Sequence, residues 1–169
     1  VNKDSLERVL VKNPMIKSAQ VYYSLDGYIH VNIQQREPVL RVLTGEGYYV
    51  DRDGRVMPLS SKFTSRVVVA TGDINKKFAC EKLGPFAMKL KNEPFWDAYI
   101  EQLVVRSNED VVMIPKVGDF RIVLGKVDDC DARLEKLILF LKDGITKKGW
   151  NRYKEINLKF DNQVVCVRK

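Results

Sequence analysis

The sequence ends in a segment that can fold in only a few ways, because two short apolar runs flank a turn. Residues 155–169 read EINLKFDNQVVCVRK, and the dipeptide Asp161-Asn162 separates the runs INLKF and VVCV. Asp and Asn tolerate the positive φ angles of a two-residue hairpin turn. The pattern therefore predicts a β-hairpin in which these residues lie opposite each other: Phe160 and Gln163, Leu158 and Val165, Ile156 and Val167, Lys159 and Val164, Asn157 and Cys166, and Glu155 and Arg168.

The two faces of this predicted hairpin differ in polarity. We expect the face formed by Phe160, Leu158, Val165 and Val167 to cover a core. The last strand carries valines on both faces, and the sequence supplies no further apolar segment to pair with its outer edge. An uncovered apolar edge is either blunted against unwanted pairing or used to bind another strand.

The rest of the sequence alternates between strand and helix patterns. Apolar alternation with a period of two, interrupted by turn residues such as Asp26-Gly27, predicts hairpins, and residues 101–124 predict an antiparallel three-stranded meander. Helical periodicity predicts one helix before residue 13, helices between residues 78 and 99, and a long helix over residues 130–147. This order of elements predicts an α+β fold with helices on one face of antiparallel sheets.

The charge balance leaves several classes of partner open. The chain has 169 residues and a net charge of +7, from 29 Lys and Arg against 22 Asp and Glu. Such an excess suits nucleic acid, an anionic membrane surface or an acidic protein. The basic residues are spread along the chain, and no recognition motif accompanies the candidate patches Lys76-Lys77, Lys89 with Lys91, and Lys147-Lys148 with Arg152 and Lys154. A nucleic-acid-binding protein stays an alternative, and it predicts an affinity that falls steeply with salt.

The residues that usually carry catalysis or bind metals are sparse. Cys80, Cys130 and Cys166 lie far apart, and His30 is the single histidine, so the usual spacing of zinc ligands is absent. His30 falls on the polar face of a predicted strand. No nucleophile, base and orienting group converge in any motif. The sequence therefore predicts no enzyme activity, no cofactor and no metal.

One loop has the first residues of a calcium-binding pattern. Asp51-Arg52-Asp53-Gly54 reads D-x-D-G, but an EF-hand requires Gly at its sixth position and Glu at its twelfth. Those positions hold Val56 and Lys62. The pattern instead predicts a hairpin turn between the strands YYV and RVMP.

Several motifs occur in an order that is specific enough to compare with a family. A helix ending in Asn-Pro is followed by KSAQVYY, YIHVNIQQREPVLRV, GYYVDRDGRVMP, VVVATGD and DFRIVLGK. In this order they resemble the bacterial division proteins FtsQ/DivIB over nearly the whole chain. The resemblance implies that residues 1–43 form a POTRA domain without its N-terminal strand and helix. It implies that residues 44–169 form a β-domain of antiparallel strands with helices packed on one face.

The same resemblance implies a function. FtsQ/DivIB proteins are similar to this chain and are non-enzymatic scaffolds of the divisome, so we expect binding of FtsB/DivIC-like and FtsL-like proteins and a part in regulating septal peptidoglycan synthesis. The resemblance also implies a single inner-membrane span upstream of Val1, with this part of the chain on the periplasmic side. A POTRA module of an outer-membrane assembly protein is a second alternative, and it predicts tandem copies and a barrel.

By position, the resemblance assigns partner binding to the final hairpin by strand addition. The implied residues are Lys159, Phe160, Asn162, Gln163, Val164, Val165, Cys166 and Val167. Lys159 stands where family members carry a basic residue that faces an acidic partner residue. Phe160 stands where well-known members have a tyrosine, so a hydroxyl contact is lost. On the POTRA side, the edge Tyr28–Gln34 is the expected contact with other division proteins.

Overall fold

The computed structural model describes residues 2–62, 64–145, 149 and 152–169, which form two β-sheets and their covering helices. A two-stranded sheet near the N-terminus precedes a nine-stranded sheet. The α+β fold class predicted from the sequence is confirmed. Among the described residues, no helix is both long and apolar enough to cross a lipid bilayer.

The N-terminal unit consists of one helix on a hairpin. Helix α1 (Lys3–Val11) begins after Asn2, whose side-chain oxygen accepts a hydrogen bond from the Asp4 N–H at 3.0 Å. Strands β1 (Ile16–Tyr23) and β2 (Ile29–Gln35) pair antiparallel, and α1 packs against β1. Ala19 and Val21 are buried beneath the helix, whereas every residue of β2 is exposed.

The large sheet has the strand order β11-β10-β9-β8-β7-β6-β3-β4-β5. Its strands are β3 (Pro38–Val42), β4 (Tyr48–Asp51), β5 (Val56–Pro58), β6 (Val68–Gly72), β7 (Ile100–Arg106), β8 (Asp110–Pro115), β9 (Arg121–Gly125), β10 (Tyr153–Asn157) and β11 (Val165–Arg168). The predicted meander is confirmed, because β7, β8 and β9 pair antiparallel. Strands β10 and β11 form the predicted final hairpin at one end of the sheet.

The prediction of a purely antiparallel large sheet is wrong. Three of its pairs are parallel: β3 with β6, β6 with β7, and β9 with β10. Parallel neighbours need a long crossover, which is usually helical. Residues 73–99 supply such a crossover between β6 and β7, and residues 126–152 connect β9 to β10. A strand-helix-strand pattern at both places therefore gives a mixed sheet.

The helices pack on one face of the large sheet, as predicted. Helix α2 (Lys76–Phe78) continues through a π-helical turn, Ala79–Leu83, into α3 (Gly84–Asn92), and α4 (Pro94–Tyr99) follows. Helix α5 (Asp131–Phe140) ends in a second π-helical turn, Leu141–Ile145, and residues 146 and 147 of the predicted helix lie outside the described residues. The core joins these helices to the sheet, and its largest members include Leu40, Leu83, Trp96, Leu103, Met113, Ile122, Leu137 and Ile156.

A charged junction connects the N-terminal unit to the large sheet. Asp51, which is 2% exposed, accepts backbone hydrogen bonds from Asp53 and Arg55 and pairs with Arg36 at 2.8 Å. The D-x-D-G motif is thus a hairpin turn between β4 and β5, as predicted. The change of sheet falls between residues 35 and 38, whereas the predicted domain boundary after residue 43 falls in the β3–β4 turn. The domain assignment itself stays a prediction.

Candidate docking edge

Strand β11 forms one edge of the nine-stranded sheet, and its register differs from the predicted one. Glu155 lies opposite Val167, Ile156 opposite Cys166, and Asn157 opposite Val165. The observed pairing differs by one residue from the predicted pairing, in which Ile156 lies opposite Val167. Because side chains alternate along a strand, this displacement moves every side chain of β11 to the other face.

The loop before β11 explains the displacement. The Leu158 N–H donates to the Val123 carbonyl of β9 at 2.9 Å, and the Lys159 N–H donates to the Asn157 side chain at 3.0 Å. These bonds turn the chain out of the β10–β11 ladder at residue 158, so residues 158–164 connect the strands in place of a two-residue turn. Asn162 still has the positive φ angle, 57°, that the sequence predicts for the turn.

The corrected register changes which side chains are accessible. Leu158 is fully buried in the core, as predicted. Phe160, Val165 and Val167, which were also predicted to cover the core, are 47%, 36% and 39% exposed, because they lie outside it. Cys166 shares the face of Ile156 and packs against the core instead.

The backbone of β11 offers hydrogen-bonding groups along its open edge. The Lys169 N–H donates to the Arg152 carbonyl at 3.1 Å, so it points toward β10. Backbone groups alternate in direction along a strand, so the N–H and C=O of Val167 and Val165 also face β10. Those of Cys166 and Arg168 therefore point away from the sheet, where no described strand pairs with them. An extended segment could bind there with both backbone and side-chain contacts.

Lys136 of α5 positions the loop in front of this edge. Its Nζ donates to the Phe160 carbonyl at 2.7 Å and to the Leu158 carbonyl at 3.3 Å. These bonds hold the loop against α5 and leave the Phe160 ring half-exposed beside β11. Sequence reasoning missed Lys136, because a lysine beside the apolar stripe of a helix gives no signal for a contact 22 residues away.

Lys159 has a partner inside the chain. Its ammonium lies 3.1 Å from Asp110 at the start of β8, and its stem runs so close to Gly125 that a Cβ added there would lie 3.0 Å from the Lys159 Cγ. Asn162, Gln163 and Asp161 are exposed in the loop. The structure therefore brings the predicted residues together along one edge, but it engages the lysine with a carboxylate of the same domain.

The cysteines are spread over the fold and have suppressed reactivity. Cys80, Cys130 and Cys166 are free thiols, and burial raises the pKa of each one. A raised pKa keeps a thiol protonated and poorly nucleophilic near neutral pH. In the described part of the chain, no group of His, Cys, Asp and Glu side chains is arranged to hold a metal ion.

The second predicted contact, Tyr28–Gln34, falls on an open strand. Ile29, Val31 and Ile33 of β2 are 46%, 44% and 48% exposed, and β1 is its only neighbour among the described strands. The outer side of β1, in contrast, is closed where the Val21 N–H donates to the Glu7 carboxylate of α1 at 2.8 Å. His30 is exposed, as predicted, and stacks on Tyr22 with ring centroids 5.0 Å apart.

Of the basic residues weighed for nucleic-acid binding, only some pair with acids. Lys76, Lys77, Arg152 and Lys154 form no ion pair with any described residue. Lys91, in contrast, lies 3.0 Å from Glu37. Lys89 pairs with Asp131 in the same way. Lys147-Lys148 lies outside the described residues. No recognition motif accompanies these residues, and nucleic-acid binding stays an alternative that a salt titration would test.

Comparison with known proteins identifies a family for the large sheet. The family model described as FtsQ/DivIB, C-terminal related, matches residues 37–167, which run from the junction into β11. No curated protein is similar enough in sequence to count as a relative. The matched family implies a role in cell division, divisome proteins as partners and a membrane-anchored parent protein. The match covers well over half of the chain and includes residues of all nine strands of the large sheet, and the chain therefore belongs to the FtsQ/DivIB C-terminal related family.

Proposed function

We propose that this chain is a non-enzymatic, extracytoplasmic scaffold of the bacterial divisome. It binds FtsB/DivIC-like and FtsL-like proteins by strand addition on β11 and so helps to regulate septal peptidoglycan synthesis. The parent protein crosses the inner membrane once, with these residues on the periplasmic side. Family membership supports the division role, and the open edge of β11 supports the mode of binding.

The observation that carries the proposal is the combination of free backbone groups and exposed apolar side chains on β11. In strand addition, main-chain hydrogen bonds supply affinity and alternate side chains supply specificity. Cys166 and Arg168 direct their backbone groups outward, and Val165 and Val167 present their side chains on the face opposite the core. A partner strand on this edge would extend the sheet beyond its ninth strand.

The remaining proposed residues surround that strand. Phe160 adds an aromatic surface at the loop, and Val164 packs partly on the core at the start of β11. Asn162 and Gln163 offer exposed polar groups next to it. Lys159 contributes a positive charge, which a partner carboxylate would share with Asp110.

Proline substitution tests strand addition directly, because proline removes one backbone N–H. The Cys166 N–H points outward, so Cys166→Pro should remove a partner hydrogen bond and leave the β10 ladder intact. We expect it to weaken binding of the partner's extracytoplasmic segment at least tenfold in a titration with purified proteins. Cys166→Val is the matched control, because it changes the side chain and keeps the N–H.

Val165→Pro gives the complementary result. The Val165 N–H faces β10, so this proline should disrupt the hairpin itself and lower the free energy of unfolding by about 1–3 kcal/mol. Circular dichroism and denaturant unfolding separate the two cases. A folded Cys166→Pro variant that binds the partner as tightly as Cys166→Val would overturn strand addition on β11.

The edge of β2 is proposed as a second contact, made with other division proteins. Its support is the exposed apolar row of Ile29, Val31 and Ile33 next to unpaired backbone. Val31→Lys should reduce that contact and leave binding at β11 unchanged. Parallel binding assays on one variant therefore distinguish the two surfaces.

A further inference from the structure

The open end of the β10–β11 hairpin is strongly basic. Arg152 and Lys169 are joined by a backbone hydrogen bond, and Tyr153 lies opposite Arg168. Lys154 occupies the irregular position between the paired residues Tyr153 and Glu155. The register thus brings four cations to one end of the edge: Arg152, Lys154, Arg168 and Lys169.

Few carboxylates balance this cluster. Lys169 lies 3.0 Å from Asp119, and Glu155 is occupied by Arg121 at 2.7 Å. Arg152, Lys154 and Arg168 form no ion pair with any described residue. They are a concentration of positive charge directly next to the free backbone groups of Arg168.

At the other end of the same edge, beside the loop of residues 158–164, the positive and negative charges balance. Lys159 pairs with Asp110, and Asp161 lies in the same loop. Between the two ends, Val165 and Val167 present an apolar surface. A strand that binds along β11 therefore passes from a charge-neutral end, across valines, to an end with excess positive charge.

We propose that the strand that binds to β11 carries carboxylates at the end that lies beside Arg168 and apolar residues opposite Val165 and Val167. This inference rests on the proposed strand addition and adds the chemistry of the partner. Complementary charges across an interface fix the register of binding and suppress wrong partners. The acidic end would thus specify both partner and alignment on an edge whose backbone bonds are indifferent to sequence.

The same cations have a simpler alternative role as edge protection. Lysine and arginine on an edge strand discourage self-pairing without selecting any ligand. The two roles differ in one respect. Protection requires only that a second basic edge be repelled. Recognition requires in addition that an acidic strand bind more tightly than a neutral strand of the same register and length, by a margin that shrinks as salt rises.

The experiment uses the full chain with a short tail added after Lys169. A Gly/Ser linker followed by an alternating valine/threonine segment returns antiparallel along β11, and linkage raises its effective concentration to about the millimolar range. In one version two glutamates precede the segment, and in its twin two glutamines, which are uncharged and of similar size, take their place. The returning tail places these charges beside Arg168.

Amide hydrogen exchange at Cys166 and Arg168 reports the result, because these amides point to the open edge. We expect the glutamate tail to slow their exchange at least tenfold more than the glutamine tail at low salt, and we expect the difference to shrink as salt rises. Val167, whose amide faces β10, is the internal control. Replacing Lys154 and Arg168 together by Gln should remove the difference, whereas replacing Lys62 and Lys77 by Gln should keep it.

The outcomes separate this inference from the function on which it rests. Equal protection by the two tails would overturn the acidic-partner inference and leave strand addition in place. Protection by neither tail would count against strand addition itself. A difference that persists in the Lys154 and Arg168 variant would also overturn the inference, because the preference would then come from other charges.

Discussion

The two edge strands of the large sheet, β5 and β11, end the same hydrogen-bonded ladder with different chemistry. Strand β5 has three residues, its central Met57 is buried, and it finishes at Pro58, which has no N–H to offer. Strand β11 has four residues without proline, and both of its valines are more than one-third exposed. Short edges with proline resist pairing with other strands. The comparison indicates that the fold closes one edge and leaves the other open.

The first prediction has the largest expected effect and concerns the contacts that stabilise the closed edge, β5. Asp51→Ala leaves the side chain of Arg36 without its partner and frees two backbone N–H groups in the β4–β5 turn. Removing one partner of a buried pair costs about 3–5 kcal/mol. We expect this loss in denaturant unfolding, with β5 the first strand to lose amide protection. Asp53→Ala is the control, since its pair with Lys17 is exposed and screened by solvent and should contribute little to stability.

A second prediction places the same charge on both edges. Val56 of β5 and Val167 of β11 are each 39% exposed, so Val56→Lys and Val167→Lys are closely matched. Neither should change the free energy of unfolding by more than about 0.5 kcal/mol. Val167→Lys should weaken partner binding about tenfold, equivalent to about 1.4 kcal/mol, whereas Val56→Lys should not change it. Equal effects on binding would abolish the functional distinction between the edges.

A third prediction concerns the lysine that positions the open edge. Lys136→Met keeps most of the apolar stem and removes the bonds to the Phe160 and Leu158 carbonyls. We expect the free energy of unfolding to fall by about 1 kcal/mol. We also expect the affinity for the partner to fall several-fold, because the loop is no longer ordered before binding. Lys77→Met on α2 is the matched control. Unchanged binding by a stably folded Lys136→Met would show that the loop is positioned by Leu158 alone.

The difference between the edges also explains what the sequence could predict. The hairpin at the C-terminus, the positive φ of Asn162 and the buried Leu158 follow from local pattern. The register does not, because it depends on the bond from Leu158 to Val123 and on the reach of Lys136. Both contacts come from elements distant in the sequence. A shift of one residue then reversed the predicted faces of Val165 and Val167.

The error about parallel strands had a different origin. The sequence did contain the necessary pattern, since strands flank helices at residues 68–106 and 121–157. Such strand-helix-strand units favour parallel neighbours. In the described part of these two units, a helical crossover replaces the short turns that make the meander antiparallel. The edge position of β11 was nevertheless predicted correctly, because it depends on the last hairpin and not on the direction of β10 relative to β9.

The smallest expected effect is a pH dependence at the closed side of the sheet. Lys91, together with Arg52, lowers the pKa of Glu37 below its ordinary value of 4.5, and Lys17 lowers the pKa of Asp53 below 3.8. A carboxylate with a lowered folded-state pKa adds stability above its unfolded-state pKa and loses it as the pH falls through the folded-state value. At the open edge, burial raises the pKa of the Cys166 thiol, which stays neutral in acid. Acidification should therefore loosen the junction near β5 first.

Glu37 is half-exposed, so Glu37→Gln should reduce the acid-induced loss of unfolding free energy between neutral pH and about pH 3 by only a few tenths of a kcal/mol. Calorimetry across that range measures it, with Glu135→Gln on α5 as the control, and an equal change in both variants would mean that the acid response is not located at the junction.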